Sequence, residues 1–147
     1  MKITDLLSQR IVIIDGAMGT MIQKFKFSEE DYRGTRFANF DHPLKGNNDL
    51  LTLTQPHIIK DIHKEFLLAG SDILETNTFN ANVISMADYH MEHLVVELNV
   101  EAVKLAKQAI AEYQKEVENR PIFVAGAMGP TNKTASLSPD VNNPGYR

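Results

Sequence analysis

The sequence contains no cysteine and no tryptophan, so it can form no disulfide, no thiolate zinc site, no iron–sulfur cluster and no cysteine nucleophile of its own. It also lacks any apolar run near the roughly 18 residues of a membrane span, and MKITDLLSQR has no signal-like apolar stretch. A cytoplasmic chain is expected, with no membrane partner. Neither acidic nor basic residues form a block of five, and the net charge is only -4, so no nucleic-acid-binding tail is indicated. What remains is a chain of 147 residues, 43% hydrophobic, with the composition of one ordinary globular domain.

Three short apolar runs organise it. Ile11 to Ile14 is β-branched without alternation, the pattern of a strand buried on both faces in a parallel sheet. Asp72 to Glu75 and Ile122 to Ala125 are the second and third predicted strands. The spacing of Ile58, Ile59, Ile62, Phe66, Leu67 and Ala69 predicts a helix from Pro56 to Ala69, stopped by Gly70. Leu94, Leu98, Ala102, Leu105, Ala109, Tyr113 and Val117 predict a second. From about Ile22 to Gln55 no period persists, which predicts a long irregular excursion with short helical turns, covering part of a site or the bottom of a barrel.

Right-handed parallel crossovers would bring the three strand ends, DGAMGT, ETNTFN and AGAMGPTN, to one pocket mouth. Asp15 ends the first strand beside Gly16 and Gly19. It suits the ammonium group of an amino acid, with neighbouring backbone N–H groups for its carboxylate, or else it caps the next turn or accepts backbone hydrogen bonds with no ligand involved. Neither a dinucleotide loop nor a phosphate loop fits the glycine spacing. Glu75, Asn77, Thr78 and Asn80 form the densest polar cluster, lining a ligand or fixing the loop by hydrogen bonds. Thr131 and Asn132 follow the third strand, where Asn132 either meets substrate or closes an Asx turn. His90, His93 and Glu97 have helical spacing but read as a solvated helix start rather than a metal face, and His63 as a surface or packing residue. An aldolase-like reading would rest on Lys133, the one lysine near these motifs.

The succession IIDGAMGTMIQ, YRGTRFANF, LKGNNDLL, ETNTFNA, MADY and VAGAMGPTNKTASLSPDVNNPGYR resembles the homocysteine S-methyltransferase family, and most closely the amino-terminal module of the cobalamin-dependent methionine synthase branch. The resemblance implies a (β/α)8 TIM barrel, which needs roughly 250 residues. Residues 1–147 would then be an incomplete amino-terminal portion carrying the first three strands, with the remainder of the barrel beyond 147. It places Asp15, Gly16 and Ala17 on the amino-acid end of L-homocysteine, and Glu75, Asn77, Thr78 and Asn132 along the pocket. Many members have glycine where this chain has Ala17.

The implied parent reaction moves a methyl group from methylcobalamin, recharged by methyltetrahydrofolate, to the zinc-activated thiolate of homocysteine, giving methionine. The zinc-binding cysteines of the family lie on later strands, so no catalytic or metal-binding residue is expected within this chain, and no cofactor is expected on the segment alone. Further partners would be the rest of the barrel and the folate, cobalamin and reactivation modules of the parent chain. Betaine or S-methylmethionine as donor, or a shortened, non-catalytic module for amino-acid binding or assembly, are the alternatives. The isolated piece is expected to be inactive and prone to self-association through its open sheet edge.

Overall fold

The computed structural model describes residues 2–133, 140, 142, 143 and 145. Most of the tail expected to lack a following helix, residues 134–147, lies outside the described residues. The order is α1 (Ile3–Leu7), α2 (Met18–Gln23), α3 (Glu29–Arg33), α4 (Leu51–Thr54), α5 (Pro56–Leu68), β1 (Ile73–Glu75), α6 (Val83–Met86), α7 (Val95–Glu116) and β2 (Phe123–Ala125), with 3-10 turns at 48–50, 87–89 and 92–94.

β1 and β2 are parallel, in the register Ile73 with Phe123, Leu74 with Val124 and Glu75 with Ala125. Ile14 bridges Ile73 on the other side, also parallel, so the three apolar runs lie in sequence order with β1 central. The first run is nevertheless not the doubly buried strand its composition predicts. Only Ile14 makes a ladder bridge, and Ile11, Ile13 and Ile14 are 85%, 54% and 50% exposed. The Ile13 N–H donates to the Asp72 carboxylate at 3.0 Å, and the Ile13 carbonyl accepts from both Asp72 N and Ile73 N. Side-chain bonding thus replaces part of the ladder, and one neighbouring strand cannot cover both faces.

α5 and α7 lie where their periods place them. Pro56 opens α5 and Gly70, at φ +102°, follows it in the left-handed conformation that glycine adopts without a Cβ penalty. Val117 falls just beyond α7 and is exposed, so the apolar stripe ends at Tyr113. The two helices pack on one face of the sheet, where Leu67, Ala106, Ala109 and Tyr113 enclose Leu74.

The excursion is a packed layer. Ile22, Tyr32, Phe37, Leu44, Leu50 and Leu51 share a core with Ile59 and Ile62 of α5 and Leu98 and Leu105 of α7. Polar side chains fix its irregular backbone. Ser28 and Asp31 cap α3 reciprocally, Arg33 donates to the carbonyls of Phe37, Phe40 and His42, and Glu29 accepts the N–H groups of Leu44 and Lys45 at 2.8 and 2.7 Å. At the opposite end of the strands from the loops that follow them, Asp72 accepts from Arg10 at 2.7 Å through both oxygens and from Arg120 at 2.9 Å, joining all three sheet segments. Among the described residues no helix is long and apolar enough to cross a membrane.

Candidate functional site

The carboxyl ends of the sheet segments open into a cavity of about 340 Å³. Asp15 to Gly19 come from the first segment, Glu75 to Asn80 from the end of β1 and its loop, Ala127 from beyond β2, and Asn48 and Asp49 from the excursion. Parallel packing makes these separate stretches neighbours.

Asp15 is 9% exposed, and its Oδ1 accepts the Glu75 N–H at 2.8 Å. Burial pushes its carboxyl up to about 6, with the nearby Glu75 charge adding to the rise and the hydrogen bond opposing it. The bond goes across to the next strand, so Asp15 holds two strand ends together as well as facing the cavity. No cap bond from a side chain forms at the start of α2. The residue there is Ala17, at φ +52° and ψ +30°, a left-handed conformation that favours glycine. Gly16 has open space around its Cβ direction.

The polar cluster after β1 is largely engaged with the protein. Asn77 Nδ2 donates to the Asn48 carbonyl at 2.8 Å and to Thr52 Oγ1 at 3.2 Å, which ties β1 to the excursion. Thr78 Oγ1 donates to the Ala127 carbonyl at 2.8 Å, while Ala127 N donates to Thr76 Oγ1 at 3.1 Å, and the two threonine hydroxyls meet at 2.7 Å. These bonds latch the loop after β1 to the loop after β2. Glu75, Asn77 and Thr78 all line the cavity, but the side-chain hydroxyl of Thr78 and the amide nitrogen of Asn77 already have partners there. Asn132 is exposed and is not part of the cavity lining.

Asp49 is the residue that the motif reading passed over. It is 2% exposed, lines the cavity, and accepts the Asn80 N–H through Oδ2. Burial pushes its carboxyl up to about 6, against the effect of that hydrogen bond. The local signal was the GNND turn, where Asn47 caps the 3-10 segment and places the next polar residues inward.

The histidine readings separate. His63 is fully buried with neither ring nitrogen hydrogen-bonded, so it packs and does not lie at the surface. His90 lies beside His42 with ring centroids 4.4 Å apart, and Glu97 pairs with Arg36. Among the described residues no group of three or more His, Asp or Glu stands together as a metal site.

The family described as homocysteine S-methyltransferase matches residues 12–146 of the chain. In fold, the chain is similar to the metallated form of the homocysteine methyltransferase MmuM from Escherichia coli, with a TM-score of 0.66 and 22% identity over 86% of this chain and 40% of that one. It is similar to the oxidized form of the same enzyme with a TM-score of 0.67 and 23% identity, covering 85% of this chain and 39% of that one. The chain thus spans about two-fifths of the length of these solved structures.

Proposed function

The chain belongs to the homocysteine S-methyltransferase family, and from that premise we propose that it supplies part of the L-homocysteine pocket of a methionine synthase-like methyltransferase acting in the cytoplasm. The observation that carries this is the buried Asp15 carboxylate at the mouth of the parallel sheet, pinned to the Glu75 N–H at 2.8 Å beside the open backbone at Gly16. Its charge matches the ammonium group of the amino acid, and N–H groups around Gly16 and Ala17 match the carboxylate. Glu75, Asn77 and Thr78 shape the wall.

In this reading residues 1–147 are the first portion of a (β/α)8 barrel. The adjacent, sequence-ordered parallel segments support it, as does coverage of two-fifths of the solved relatives. Methyl transfer from methylcobalamin, with methyltetrahydrofolate recharging it, would use modules outside these residues. The likeness to a homocysteine methyltransferase favours equally a second reading, in which another methyl donor such as S-methylmethionine or betaine serves the same pocket.

Zinc in this family would activate the homocysteine thiol. The chain has no cysteine, and its described residues hold no cluster of three metal-binding side chains, so they do not fit that site. Calorimetric titration of the chain with L-homocysteine tests the proposal. Saturable binding that is lost in Asp15→Ala is expected. Equal affinity of the wild type and this variant would overturn the role of Asp15.

A further inference from the structure

Among the described residues three carboxylates, Asp15, Asp49 and Glu75, line the cavity, and no lysine, arginine or histidine does. Asp49 reaches it from the excursion, on a 3-10 turn far from the strand-end motifs in sequence. Its Oδ2 accepts the Asn80 N–H, while no donor among the described residues reaches Oδ1. Holding the loop at Asn80 requires only an oxygen acceptor, which an asparagine would provide without a buried charge. The charge itself therefore has no cationic partner among the described residues, although an uncompensated buried carboxylate is costly. Other titratable groups around it are Asp15 and Glu75 in the cavity and Tyr89 from the 87–89 turn, none of them cationic.

We propose that Asp49 is a ligand-positioning residue of this cavity, its free Oδ1 receiving the cationic amino group of the ligand together with Asp15. This deepens the amino-acid-site reading and rests on it. The excursion then serves recognition as well as covering the core, because it delivers a third carboxylate, beyond the two that the strand ends supply. An arriving ammonium group favours the ionised form of both aspartates, each held near 6 by burial, so binding releases protons around that pH.

The test uses the 147-residue chain and three probes: L-homocysteine, its des-amino analogue 4-mercaptobutanoate, and n-butylamine. Asp49→Asn retains an oxygen for Asn80 and is expected to weaken homocysteine binding tenfold or more while leaving 4-mercaptobutanoate unchanged. Equal loss of both ligands, or undiminished homocysteine affinity, overturns the proposal and leaves the homocysteine reading standing. Asp49-dependent binding of n-butylamine without binding of homocysteine supports the amino-group site and removes the homocysteine reading. Binding of neither overturns both. Should Asp49→Asn fail to fold, carboxyl carbon-13 resonances of the wild type decide: the Asp49 signal is expected to titrate at lower pH with an amine-bearing probe bound, and an unmoved titration overturns the proposal.

Discussion

The Oδ1 of Asp15 accepts the backbone N–H of Glu75 at 2.8 Å, so the carboxylate ending one sheet segment is anchored on the next strand while its charge faces the cavity. The same residue thereby couples fold and site. Its two roles respond differently to mutation and to pH.

Asp15 and Asp49 are both raised from an ordinary 3.8 to about 6 by burial. Between about pH 4 and 6 the folded chain therefore retains protons that the unfolded chain has released, so these groups make stability fall as pH rises, and the penalty persists above 6. Asp15→Asn keeps an acceptor for Glu75 and removes the charge. It is expected to raise unfolding stability at pH 7.5 by roughly 1–3 kcal/mol and to have little effect at pH 4. Urea denaturation at the two pH values reads this difference; a gain of the same size at both would contradict the assignment.

His63 acts with the opposite sign. Burial lowers it from 6.5 to about 4, so the unfolded chain binds a proton that the folded chain refuses as pH falls from 6.5 to 4, and stability declines with acidification over that window. Above it, two unpartnered ring nitrogens remain buried. His63→Leu is expected to stabilise by about 1–3 kcal/mol at pH 7.5 and by more at pH 5. Thermal unfolding of the variant that starts lower at both pH values would show that the ring has a partner in solution.

Asp72 gathers Arg10, Arg120 and the Ile13 N–H at the amino ends of the three sheet segments. Arg10 is the main cause of its depressed carboxyl, near 2, so its contribution is complete above about pH 4 and is lost as pH falls toward 2. Asp72→Ala leaves the buried part of Arg120 without its carboxylate and is expected to cost about 3–5 kcal/mol, whereas Arg10→Ala, which removes only the solvent-exposed partner, is expected to cost clearly less. Chemical denaturation of the two variants checks the order; equal losses would mean the clamp is a surface pair.

The strand-end loops make contrasting demands on small residues. A Cβ at Gly129 would lie 2.6 Å from both the ring and the carbonyl oxygen of Phe79, to which the Gly129 N–H is bonded, so Gly129→Ala must displace that loop and is expected to destabilise by about 1–3 kcal/mol. Ala17 sits at φ +52°, and Ala17→Gly is expected to stabilise by up to about 1 kcal/mol after the entropy of the added freedom is subtracted. Melting curves of both variants test the pair. A stabilised Gly129→Ala would refute the contact.

Among the described residues β2 has a paired strand on one side only, and Ile11, Ile13, Phe79, Val83 and Met128 are exposed around the sheet and its loops. Open parallel edges and apolar surface invite pairing between chains. Sedimentation velocity is expected to show concentration-dependent association of the isolated chain. A single monomeric species up to about 100 μM would count against it.

Sequence alone determined the elements whose burial is periodic. The stripe of α7 from Leu98 to Tyr113 and the Pro56 and Gly70 signals of α5 are local, and each acts through side-chain direction or backbone freedom within one turn. The motifs also located Asp15 and Glu75 at strand ends, because parallel crossovers leave little choice of side. Only the tertiary structure decided how the excursion folds, since Tyr32, Phe37 and Leu44 are placed by packing against α5 and α7 rather than by any period. It also made Ile14 a lone bridge by diverting the Ile13 N–H to Asp72, committed Thr78 and Asn77 to latching loops, and brought Asp49 to the cavity. Each of those outcomes depends on a partner some 25 to 60 residues away, and a pattern read along the chain carries no term for a contact made only when the chain closes on itself.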